Sequence, residues 1–150
     1  MTALTTNSLI RRAAIASTYS LGSVTLYAGY RYAHAFNGAN LPGSTLANTV
    51  SNLAWTGVAY QVTSALSLTG SAYYQNLRNS RAGNPWLFVA LADYNLSKRT
   101  DLYTSVSYVL NRGKSSLAVN GFNDQSGTSS EAVQPGENQF GVVMGIRHKF

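Results

Sequence analysis

The final stretch, Phe140 to Phe150 (FGVVMGIRHKF), constrains the fold more than any other. Taken alternately, it splits into two sets. Phe140, Val142, Met144, Ile146, His148 and Phe150 share one face, and Gly141, Val143, Gly145, Arg147 and Lys149 share the other. A period of two is that of a strand, whose successive side chains point to opposite sides. One face is greasy and the other is small and basic. A soluble domain has little reason to end a strand on an unprotected Phe. A strand that ends at a membrane interface has one, because aromatic rings settle at the headgroup level. If this strand closes a membrane barrel, the rest of the chain should be similar strands joined by alternately short and long connections.

The chain meets that expectation. Arg12 to Tyr19 alternates, and Ser20-Leu21-Gly22-Ser23 turns tightly into Val24 to His34. Phe36 to Asn48 is a loop rich in Asn, Gly, Pro and Ser. Leu53 to Val62 is a strand in which Trp55 has the parity opposite to Val58, Tyr60 and Val62. Trp55 therefore faces the interior or marks a register-shifting bulge, and the pattern leaves both open. Thr63-Ser64-Ala65 is a short turn. Leu66 to Asn76 follows, then a loop from Leu77 to Pro85, a strand from Trp86 to Leu96, a turn at Ser97 to Asp101 and a strand from Leu102 to Leu110. Gly113 to Asn138 is the longest irregular stretch, and the terminal strand comes after it. The reading is seven strands with connections short, long, short, long, short, long. Their lengths suit a tilted crossing of a bilayer, with short turns on the periplasmic side and longer loops outside.

Composition agrees. Charged residues are 11% of the chain, against ~25% in soluble domains. No run of ~18 apolar residues offers a transmembrane helix. Cysteine is absent, so neither a disulfide framework nor a thiolate metal site is available. The net charge of +6 raises the question of nucleic acid, but the basic residues are scattered pairs and form no patch. The opening MTALTTNSLIRR has no basic region followed by an apolar core and a small-residue cleavage site. The expectation is that a leader lies upstream or that the chain is a fragment. Residues 1–10 are expected to form a disordered or irregular lead, with barrel strands over 11–150.

Three stretches resemble a known family. LSKRTDLY (Leu96 to Tyr103), the terminal GVVMGIRHKF and SLGSVTLYAGYRYAH (Ser20 to His34) look like the general diffusion porins of Gram-negative outer membranes, of the beta-proteobacterial type. The resemblance spans about Arg11 to Phe150. It implies an all-β, antiparallel up-and-down transmembrane β-barrel, with about seven of sixteen strands present here and an open half-barrel for the isolated chain. It implies a homotrimer, an outer-membrane location, a water-filled lumen for passive diffusion of small hydrophilic solutes and ions, and reading of the terminal strand, with Phe150 as its signal, by the barrel-assembly machinery. The family's inward-folded constriction loop has no counterpart here, so its acidic residues are not carried over.

On this reading the polar parity lines the pore: Arg12, Arg31, Ser67, Thr69, Ser71, Tyr73, Gln75, Asp93, Ser105, Ser107, Arg147 and Lys149. A charge such as Arg12 or Arg31 at mid-strand on the other face would sit in lipid at a cost of ~2–4 kcal/mol. For Arg147 and Lys149 two readings stand, a role in selectivity or simple anchoring at the periplasmic rim. Tyr19, Tyr30, Tyr32, Tyr60, Tyr74, Tyr94 and Tyr108, with Phe140, Val142, Met144 and Ile146, form the lipid-facing band and aromatic girdle. His34 and His148 have no carboxylate or Cys at ligand spacing, and no cofactor motif occurs. No G-x-S-x-G elbow occurs among the many serines, which speaks against an enzyme. The alternative is a soluble or surface-exposed β-sandwich binding module, which would need Greek-key crossovers.

Overall fold

A computed structural model of the chain describes residues 9–39, 41, 48–78, 83–119 and 133–150. Seven strands form one sheet: β1 (Leu9–Leu21), β2 (Val24–Phe36), β3 (Val50–Gln61), β4 (Leu66–Arg78), β5 (Trp86–Asn95), β6 (Thr100–Leu110) and β7 (Gln139–His148). Each pairs antiparallel with the next, in the order β1-β2-β3-β4-β5-β6-β7. Among the described residues no crossover interrupts that order, so they form no Greek-key connection of a sandwich. The strands are longer than the alternation predicted at the loop end. β2 runs through Phe36, and β3 begins at Val50. β1 takes in Leu9 and Ile10, which the sequence assigned to an irregular lead; the remainder of that lead, residues 1–8, lies outside the described residues. β7 stops at His148, although Lys149 N–H still donates to the Arg99 carbonyl at 2.9 Å. Phe150 therefore lies beyond the strand that was expected to carry it.

The connections alternate as expected, at 22–23, 62–65 and 96–99 on one side and 37–49, 79–85 and 111–138 on the other. Their chemistry explains the short ones. Gly22, at φ +58°, takes the first position of a two-residue hairpin loop, where a left-handed backbone matches the strands' twist. The other two turns share one device. Thr63 Oγ1 accepts from the N–H groups of Ala65 and Leu66, and Ser97 Oγ accepts from those of Arg99 and Thr100. A hydroxyl that replaces missing ladder partners holds each reversal closed.

The register sorts the side chains into two faces. β3 pairs without a break on both sides, Gly29 to Trp55 and Trp55 to Tyr73. That removes the bulge and puts Trp55 on the polar face. On β2 the apolar-face residues Leu26, Ala28, Tyr30 and Tyr32 are exposed, while Tyr27, Gly29 and Arg31 between them are half-buried. The polar face is the crowded, concave one. Among the described residues the molecule has no core between layers. Its buried apolar residues, among them Ala33, Ala35, Ala39, Leu41, Leu77 and Val109, gather on the concave face at the loop end. There the loop roots fold inward. Ala39 and Leu41 cluster with Ala33 and Ala35, and the stretch after β6 is pinned by Asn111, whose side chain accepts from Leu117 N–H and donates to the carbonyls of Leu117 and Glu137.

Candidate functional site: the concave wall

Every residue assigned by parity to the polar set, Lys149 aside, stands on a strand and on the concave face. The ladders align Gln61 with Ser67 and Asp93, Ala59 with Thr69 and Leu91, Gly57 with Ser71 and Val89, and Leu53 with Gln75. Leu91 and Val89 in turn oppose Ser105 and Ser107. The sequence missed how mixed this wall is. Leu53, Leu87, Val89, Leu91 and Val143 share it with the hydroxyls, and their parity already said so.

Aromatic rings lie flat on the wall because glycines stand opposite them. Trp55 faces Gly29, Tyr27 faces Gly57 and Tyr103 faces Gly145, each as a direct cross-strand pair. A Cβ on Gly29 would collide with the Trp55 ring and one on Gly57 with the Tyr27 ring, and one on Gly145 would come within 2.7 Å of the Tyr103 hydroxyl. The rings thus fill the empty Cβ positions rather than projecting away from the sheet.

The charges divide into two groups. At the turn end, Arg147 Nε donates to both oxygens of Asp101, at 3.1 and 3.0 Å, and its Nη2 also bonds Asp101 and lies 3.6 Å from Asp93. The pair joins directly opposed residues of β6 and β7, with Asp93 reaching across from β5. The sequence pattern ends a turn at Asp101; the residue is buried against the wall, and its parity with Tyr103 is the signal that it faces inward. At mid-wall, Arg31 pairs in register with Ala14 and Leu53, and Arg12 stands one diagonal step away opposite Ala33. No described acid forms an ion pair with either arginine.

The convex face carries the other set. Ile15, Met144 and Ile146 are 73%, 74% and 65% exposed, with Tyr19, Tyr30, Tyr32, Tyr60, Tyr94, Tyr108, Phe140 and Val142 exposed around them and Tyr74 half-covered. Trp86 extends this face, 4.6 Å from the Tyr74 ring and stacked parallel on Phe88 at 5.9 Å. Polar groups stand at both ends of the convex face; at the turn end Thr100 Oγ1 and His148 Nδ1 are hydrogen-bonded at 2.8 Å, and others gather at the loop end. Tyr30 donates to Asn52 at 2.5 Å, His34 packs on Phe36 at 3.7 Å, and the Arg11 guanidinium lies 5.4 Å from the Phe36 ring centre.

The strands thus run as a sequential meander with an apolar convex face and a more polar concave face. The model of the Gram-negative porin family matches residues 3–114. The chain belongs to the Gram-negative porin family. That span omits β7, the strand that first suggested a membrane barrel. An outer membrane porin protein 32 from Delftia acidovorans is 42% identical over 57 residues, covering 38% of this chain and 15% of that protein. The anion-selective porin from Comamonas acidovorans superposes with a TM-score of 0.79 at 21% identity, over 95% of this chain and 40% of that one. The chain thus spans less than half the length of these relatives. This porin chain is an outer-membrane protein.

Proposed function

We propose that this chain forms part of the wall of a passive diffusion channel for small hydrophilic solutes, with a bias toward anions. The observation that carries the reading is the partition of seven strands into a convex apolar face and a concave polar face. In lipid, the first meets acyl chains and the second meets water. The bias follows from charge. Arg147 is already held by Asp101 and Asp93, so among the described residues on the concave face of the strands the cations left to act on a solute are Arg12 and Arg31. Lys149 is exposed beyond β7 and acts at the rim. The Comamonas relative is named an anion-selective porin, in keeping with this. The complete protein would be a homotrimer, and Phe150, fully exposed, would serve barrel assembly.

The test is a reversal potential across a planar bilayer under a salt gradient. A complete barrel carrying this chain should favour chloride over potassium. Arg12→Glu together with Arg31→Glu should reverse the preference, whereas Lys149→Glu should change it little. Unaltered selectivity in the double variant would remove the two arginines from the pore.

A further inference from the structure

Below the loop roots, the concave face holds a cavity of about 230 Å³. Its walls are of two kinds. Leu53, Leu87, Leu117 and Pro85 make an apolar hollow, and Arg31 and Gln75 stand at its polar side. Tyr73 contributes a ring with a hydroxyl. Leu117 reaches the cavity only because Asn111 folds the chain after β6 back onto the wall, with Leu117 N–H donating to Asn111 Oδ1 at 3.0 Å. Pro85 is there because its carbonyl continues the β4 ladder, accepting from Gln75 N–H at 3.1 Å. The hollow is thus built from five separate parts of the chain: β2, β3, β4, the start of β5 and the stretch after β6.

The polar side is incomplete. Arg31 Nε is buried with no hydrogen-bond partner among the described residues, and no described acid neutralises the guanidinium. A buried donor on a charged group without a partner is costly, and a water-filled pore wall that needed only charge would not set leucines around it. Drug-sized ligands occupy cavities of ~300–1,000 Å³, so this one suits a single ring or a short branched chain.

We propose that this hollow is a binding station for small amphipathic monocarboxylates, with the carboxylate on Arg31 and an aromatic or branched aliphatic body against Leu53, Leu87, Leu117 and Pro85. The planar guanidinium suits a carboxylate, and Gln75 offers a second polar contact. Hydrophilic anions such as chloride would pass the station; organic acids with an apolar body would pause there. This deepens the channel reading and rests on it for its role in transport.

The test measures binding and conduction separately in a complete barrel carrying this chain. In detergent, ¹⁹F NMR follows three probes: 4-fluorobenzoate, fluoroacetate as an anion without the ring, and 4-fluorobenzylamine as a cation of the same shape. The protein should shift and broaden 4-fluorobenzoate alone at millimolar concentration. Arg31→Gln should weaken that binding about tenfold, the scale of a lost charge-assisted bond. Leu87→Asn should weaken it too, and decides the matter if Arg31→Gln does not fold. Equal response to fluoroacetate, or wild-type affinity in the folded Arg31→Gln or Leu87→Asn variant, overturns the station. In a planar bilayer, 4-fluorobenzoate should depress chloride current and fluoroacetate should not. A barrel that binds 4-fluorobenzoate but carries no current keeps the site and removes the channel. One that conducts without distinguishing the probes keeps the channel and removes the site.

Discussion

At the residue scale, the wall is shaped by pairs in which one partner has no side chain. Gly29 lets Trp55 lie against the sheet, so the ring takes space along the wall instead of across the lumen. Gly29→Ala should force Trp55 off its position, at a cost of about 1–3 kcal/mol for an overpacked contact. Urea unfolding of a barrel carrying this chain, followed by tryptophan emission, measures it; unchanged stability and emission would show that the ring has room to move. The Asp101–Arg147 pair is a different case. It is bidentate, and Asp101 is buried, so losing Arg147 leaves an unmet charge on Asp101, while losing Asp101 leaves Arg147 half-exposed with Asp93 alone beside it. Asp101→Asn and Arg147→Gln should each lower the temperature at which the folded form is lost on heated gels by a few degrees. The double variant should fall by less than their sum. Strict additivity would show that the two groups do not act on each other.

At the element scale, β7 concentrates the contrast between the faces. Met144 and Val143 are neighbours near its middle, both exposed, on opposite sides of the sheet. Exposure alone does not separate them; parity does. Met144 opposes Thr104 in the convex set, and Val143 opposes Ser105 on the wall. Lysine at Met144 would face acyl chains at a cost of ~2–4 kcal/mol near the bilayer midplane, whereas lysine at Val143 would face water. Met144→Lys should therefore reduce heat-modifiable barrel in the outer membrane severalfold, and Val143→Lys should assemble near wild-type levels. The reverse result would invert the two faces throughout the sheet.

At the scale of the molecule, two edges and two ends matter. β1 and β7 each have a partner on one side only, and β1 is exposed along its whole length. An unpaired edge cannot stand in hydrocarbon, where each unmet N–H or C=O costs several kcal/mol. The chain alone, refolded in detergent, should give no steady porin-like conductance steps in a planar bilayer. Such steps would sink that expectation unless crosslinking showed several copies in one composite barrel. The two ends give the topology. The chain has no cysteine, so single substitutions report cleanly. In intact cells making a barrel that carries it, Gln134→Cys should react with an impermeant maleimide and Lys98→Cys should not. The opposite pattern would turn the sheet over in the membrane.

By itself the sequence determined the strands, their order and, Trp55 and Asp101 apart, the face on which the strand residues lie. All three follow from local facts: a period of two, a hydroxyl or glycine in each short turn, and the cost of charge in lipid. Tyr30 and Arg31 could be assigned to opposite faces without coordinates, as could Met144 and Val143. Only the tertiary structure decided what meets what across strands. Register is a long-range quantity, fixed by how all the ladders fit at once, and it alone set Trp55 on Gly29, Arg147 on Asp101 and the wall beneath Leu117. In the sequence Asp101 stands at the end of a turn and Leu117 in an irregular stretch. The parity that Asp101 shares with Tyr103 puts it on the inner wall, whereas the bond from Leu117 N–H to Asn111 Oδ1, which brings Leu117 there, is invisible to alternation.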